Sequence, residues 1–269
     1  MDNIFLRNVF LKTLNDNRFS LLWWSIGIIL FNLMVVAFYP SFGNNVGYEQ
    51  LLQSLPPDLV KVFLGGFDTG PEVYLNGNLY FLVLPFIFLA FNMFFGSETI
   101  AKEEKTGSLD LVLSTPISRW KLLLEKFGAM IVLNIILGFA SFISVYLGAI
   151  AINTTLNTWN VLSVSISLIG LGIFFGGLAI SISAITGNRQ ASLGITGAVG
   201  VGAYLLNSLA PLSSNYSLYQ KFSPFYYYIN NDPLLNGLKI EDFSVLIIFA
   251  IIFLVIGLII FQRRDLVTN

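Results

Sequence analysis

Neither cysteine nor histidine occurs among the 269 residues. Their absence removes disulfides, thiolate nucleophiles, zinc sites of the usual kind and any Ser/His or Cys/His catalytic pair. Charge is the second scarcity. Only 11% of residues are Asp, Glu, Lys or Arg, against about 25% in soluble domains, so an ordinary water-soluble globule is ruled out. With 14 bases, 15 acids and a net charge of −1, no general basic surface exists for nucleic acid. The phosphate-loop pattern GxxxxGK[ST] is missing as well, so no ATP-binding P-loop lies in this chain.

What fills the sequence instead is apolar: 55% hydrophobic residues, 25 of them phenylalanine. Crossing a hydrocarbon core of about 30 Å takes roughly 20 residues of helix. Six uncharged runs approach that length, at 19–39, 79–95, 127–152, 161–185, 191–209 and 245–261. Backbone in lipid must satisfy its own hydrogen bonds, so the runs are expected to be helices, and the period-2 alternation of a barrel is absent. The fold expected is a single all-α polytopic membrane domain over 1–269. The first run is too long for a signal-peptide core and lacks a small-residue cleavage site.

Orientation follows from the bases. If the N-terminus is inside, the inner segments hold 11 of the 14 bases and 8 acids, and the outer ones 3 bases and 7 acids. This positive-inside division puts both termini in the cytoplasm. The outer segments 40–78 and 210–244 are long. The first is expected to carry short helices near 49–55 and after Pro56 and Pro57. The second carries an aromatic run (Phe222, Phe225, Tyr226, Tyr227, Tyr228) that reads as a headgroup-level belt or a substrate-contacting gate.

No span contains an ionisable residue, which removes the usual means of ion coupling. Asn32, Asn92, Asn134 and Asn207 are the polar exceptions, expected to bond between helices. Pro85 frees the carbonyl of Phe81, and a kink is expected there. Gly172 and Gly176 form a GxxxG pair, and Gly194, Gly197 and Gly200 recur in the fifth run. Both sets read as close packing within the bundle or as an interface with a second chain.

The most charged stretch is the inner loop 97–126. Leu109, Val112 and Leu113 give one apolar edge after Gly107, and Pro116 stops that helix. Thr115 and Pro116 are expected to cap a second helix whose Ile117, Trp120, Leu124 and Phe127 share a face. The loop is therefore expected to be an amphipathic elbow of two helices between spans two and three.

These residues carry a resemblance. Glu103 and Glu104, then Gly107, Ser108 and Leu109, then Leu111 and Leu113, then the run from Ser114 through Pro116 and Ser118 to Arg119 resemble the signature of type-2 ABC exporter permeases. Leu55 with Pro56 and Pro57, Ser223 with Pro224 and Phe225, Asp232 with Pro233, and Phe261, Gln262, Arg263, Arg264 and Asp265 extend the likeness along the chain. The resemblance implies a half-transporter. Two permease chains, alike or different, pair in the plasma membrane, and each rests on a separate nucleotide-binding ATPase that holds ATP and magnesium.

The resemblance also implies that the ATPase contact is a coupling helix over 107–118, formed by Glu103, Glu104, Gly107, Leu109, Leu113, Pro116, Ser118 and Arg119. A membrane-interface helix is expected over 3–14. The chain itself would be no enzyme and carry no cofactor. A pathway without ionisable side chains suits a hydrophobic or amphipathic cargo. The alternative reading is a passive channel or a structural or sensor membrane protein without ATPase coupling.

Overall fold

Uncharged apolar backbone has one economical way to satisfy its hydrogen bonds in lipid, the α-helix, and the described residues take it. The structure, a computed structural model, describes residues 8–43, 70–105, 117–210 and 217–264. Among them there is no strand. The α-helices are α1 (Val9–Asp16), α2 (Arg18–Gly43), α3 (Pro71–Leu75), α4 (Val83–Thr99), α5 (Ala101–Lys105), α6 (Arg119–Ala151), α7 (Thr158–Thr186), α8 (Arg189–Leu209), α9 (Pro224–Ile229), α10 (Pro233–Asn236) and α11 (Ile240–Arg263). Six stretches are long and apolar enough to cross a membrane: Arg18–Ser41, Pro71–Glu104, Arg119–Ala151, Thr158–Thr186, Arg189–Leu209 and Ile240–Arg263. The helices expected near 49–55 and after Pro56 and Pro57, and residues 106–116 of the elbow, lie outside the described residues.

Local chemistry sets the boundaries. The side chains of Asn8, Asn157, Asn188 and Ser223 each accept a backbone N–H from the first turn of α1, α7, α8 and α9. Gly187 ends α7 in the left-handed region, at φ +60°. Asn76–Tyr80 is a π turn, and the chain breaks at Phe81 and Leu82 before α4 begins, where the missing Pro85 donor was expected to kink it. Of the interface helix expected over 3–14, residues 3–7 lie outside the described residues, and α1 begins at Val9 behind its Asn8 cap and runs to Asp16.

The second elbow helix departs further from expectation. It starts at Arg119, after an extended Ser118 whose carbonyl takes the first helical bond from Leu122 at 3.1 Å. Trp120 and Leu124 face outward, while Leu122, Leu123, Lys126 and Phe127 are buried. The inward face is selected by a charge, because Lys126 finds its partners inside.

Helix α7 is the axle of the bundle, with α4, α6, α8 and α11 packed around it and α2 laid against α6. At its centre the Asn92 and Asn134 amides donate to each other at 2.8 Å in both directions, both fully buried. Gly172 and Gly176 face this pair. A Cβ at Gly172 would come within 3.0 Å of Asn92 Nδ2 and closer still to Asn134 Oδ1; one at Gly176 would lie 2.6 Å from Asn92 Oδ1 and closer still to Met130 Sδ. The GxxxG pair therefore makes room for a buried amide couple between α4, α6 and α7. Asn32 donates similarly to Ser144 Oγ at 2.9 Å and Ser141 Oγ at 3.2 Å, joining α2 to α6.

The aromatic run after α8 is mostly core. Phe225 packs against Phe86, Phe175 and Tyr204, and the buried Tyr228 hydroxyl donates to the Tyr80 carbonyl at 2.9 Å. Phe222, 78% exposed, is the member that fits a headgroup belt. Nearby, Asn76 donates to Asp232 at 3.2 Å, and partial burial raises the Asp232 pKa above the usual carboxylate value, the Asn76 bond opposing it. The folded protein thus holds the Asp232 proton more tightly than the unfolded chain, and stability falls as pH rises through the window between the two pKa values. Asp232→Asn keeps an acceptor for Asn76 and suits the φ of +43°. It should raise the unfolding temperature by about 1–2 °C at pH 7.5, a gain that shrinks as pH approaches 4 in thermal scans.

Candidate functional site

The ends of α4, α6, α7 and α11 meet at the elbow end of the bundle, and the short helix α5, which leads into the elbow, is held among them. The joint between α4 and α5 is fixed to α7 by one hydroxyl. Ser183 Oγ accepts the Ala101 N–H at 3.1 Å and donates to the Ser97 carbonyl at 3.2 Å. The adjacent glutamates of α5 then diverge. Glu103 pairs with Lys126 of α6 at 2.6 Å, and the Lys126 ammonium, 4% exposed, also donates to the Thr99 carbonyl. Glu104 pairs with Arg264 beyond α11 at 2.5 Å, with side chains 9% and 17% exposed.

Arg264 also donates to the Ala184 carbonyl of α7 at 3.1 Å. Arg119, the first residue of α6, closes the ring. Its guanidinium donates to the carbonyls of Phe261 at 3.0 Å and Arg264 at 2.6 Å and lies over the Phe261 ring at 5.7 Å. Gly187 is what lets this clasp form. A Cβ there would lie 2.5 Å from Glu104 Oε2 and inside contact with the Arg264 guanidinium, apart from the strain of φ +60°. Farther out, Glu98 pairs with Arg189 at 2.7 Å and Lys102 at 2.9 Å, and Glu125 accepts the Phe10 N–H at 3.1 Å, seating α1 on α6.

Glu103, Glu104 and Arg119, expected at an ATPase contact, are each engaged within the chain, as partly buried charges at helix ends need partners close by. Ser118 is exposed at the mouth of α6. Gly107, Leu109, Leu113 and Pro116 lie outside the described residues. In α8, Gly200 packs on Leu89 and Gly197 lies near Met93 Sδ, whereas Gly194 has nothing within 4 Å.

Sequence reasoning missed Lys126, Ser183, Gly187 and the clasp role of Arg264. Arg264 stood in the terminal motif and Lys126 was counted only toward topology, so residue type was visible and partnership was not. No group of three or more Asp or Glu that could hold a metal ion occurs among the described residues.

Among the described residues the arrangement joins one short helix to three long ones through charged bonds. A family model described as ABC-2 family transporter protein matches residues 7–266. No curated protein matches the chain.

Proposed function

The chain belongs to the ABC-2 family of transporter proteins, a multi-pass membrane permease component by its family and its six spans, and from that premise we propose that it exports a hydrophobic or amphipathic substrate using ATP hydrolysed by a separate subunit. The observation that carries this reading is the double anchorage of α5, with Glu103 tied to α6 and Glu104 tied to the ends of α7 and α11. A push delivered at 107–118 enters α6 through Arg119 and Lys126. It reaches α7 through Ser183 and Arg264, so the linkage moves several helices together.

In this reading the elbow end is cytoplasmic, supported by the 11 bases on the inner segments. Magnesium and ATP are held by the partner. A second permease copy pairs along α8, where Gly194, Ala198 and Gly202 are exposed at four-residue spacing beside Ile195, Val199 and Leu205. The buried amides and hydroxyls that join the spans, Asn32 with Ser144 and Asn92 with Asn134, are uncharged and lend no support to ion coupling.

The elbow supplies the test. Leu109→Glu combined with Leu113→Glu should reduce substrate-stimulated ATP hydrolysis of the reconstituted complex to that of the ATPase alone, with membrane insertion unchanged. Stimulation equal to that of the parent chain in correctly inserted protein would overturn the coupling assignment.

A further inference from the structure

A cavity of about 480 Å³ opens at the elbow end between α1, the start of α2, the end of α4, α5 and the start of α6. That size lies within the range of small-molecule pockets. Its lining combines charge with aromatic surface: Lys12, Lys102 and Lys126 with Asp16, Glu98 and Glu103, beside Trp24, Phe91, Phe94 and Phe95. The site lies where the membrane spans begin, and its apolar wall continues to the lipid-facing surface, with Phe94 44% exposed and the neighbouring Trp23 69% exposed.

The ammonium groups of Lys126 and Lys12 differ in one respect. Lys126 is occupied by Glu103 and the Thr99 carbonyl. Lys12 is half-buried in the cavity wall and makes no hydrogen bond or ion pair among the described residues. One turn along α1, Asp16 is exposed and likewise makes none among the described residues. A half-buried cation that makes no ion pair favours an anion beside it. A carboxylate one turn away at the same opening favours a cationic donor. An aromatic wall leading into lipid favours an acyl chain.

We propose that this cavity binds a phospholipid with a primary ammonium headgroup, of the phosphatidylethanolamine class, from the leaflet at the elbow end. Its phosphate sits on Lys12, its ammonium donates toward Asp16, and its chains leave over Trp24 and Phe94. The site requires only that the protein span the membrane, so it stands apart from the ATPase coupling above. Because Glu103 and Lys126 form one wall, an occupied site also braces the α5 to α6 linkage. A choline headgroup has no N–H to donate, and a glycerol headgroup has no cation for Asp16, so both should bind less well.

The experiment is native mass spectrometry of the full chain in mild detergent with an equimolar mixture of phosphatidylethanolamine, phosphatidylcholine and phosphatidylglycerol. One phosphatidylethanolamine per chain should be retained preferentially. Lys12→Ala should weaken that retention by about tenfold, the worth of one charge-assisted bond. Asp16→Asn should retain phospholipid but lose the preference for ethanolamine over choline, and Lys221→Ala at the far end should change nothing. Where Lys12→Ala fails to fold, Lys12→Gln serves the same purpose. Equal retention of the three lipids, retention undiminished in a folded Lys12 variant, or displacement by millimolar inorganic phosphate, the mark of a simple anion site, would overturn the proposal.

Discussion

Glu104→Ala should destabilise the protein by about 3–5 kcal/mol, because it leaves the Arg264 guanidinium partly buried with no carboxylate. Arg264→Ala should do the same to Glu104, and it also removes the bond to Ala184. The bare attraction between the charges is not the source of this effect. A paired buried charge gains little over an apolar pair of similar volume, whereas an orphaned one retains the full cost of leaving water. Glu104→Leu combined with Arg264→Met should therefore recover much of the stability lost in either single variant. Thermal unfolding of the parent, Glu104→Leu, Arg264→Met and the double variant gives the cycle. If the linkage transmits motion, the double variant should remain stable yet show reduced substrate-stimulated ATP hydrolysis with its partner, which separates the mechanical role from the structural one.

Gly176→Ala should damage the centre of the bundle. The new methyl meets Met130 Sδ and lies 2.6 Å from Asn92 Oδ1. Overpacking of this kind costs about 1–3 kcal/mol, and breaking the Asn92 to Asn134 couple leaves buried amide groups at about 1–3 kcal/mol each. Loss of folded protein after mild heating in detergent reads the effect. Gly194→Ala is the control, since nothing lies within 4 Å of its Cβ position and alanine is the better helix former. Gly194→Leu should leave the single chain stable but weaken pairing of two permeases, read as a shift from dimer to monomer in detergent.

The spans were legible because uncharged length is enough to specify a membrane helix: four of the six runs lie wholly within one helix, the run 127–152 ends one residue past α6, and the run 79–95 crosses the break before α4. The GxxxG pair and the lone asparagines were also visible, but as separate features. That Gly172 and Gly176 open space for Asn92 and Asn134 depends on which faces of three helices meet, which spacing along one helix does not determine. The elbow end was harder for the same reason. Glu103 and Glu104 are sequence neighbours with partners 23 and 160 residues away, and a loop read by itself turns both toward solvent or a partner. Trp120 and Leu124 followed apolar periodicity, but the inward face was chosen by Lys126, a charged residue that hydropathy assigns to the outside.

The central claim is that this permease is driven by a separate ATPase engaged through 107–118. Affinity purification of the tagged chain from mild detergent, with mass spectrometry of what co-elutes, tests it most directly. A P-loop ATPase should co-purify in near-stoichiometric amount with the parent chain and be lost from the Leu109→Glu, Leu113→Glu variant. Folded permease that retains no nucleotide-binding subunit across several mild detergents would contradict it.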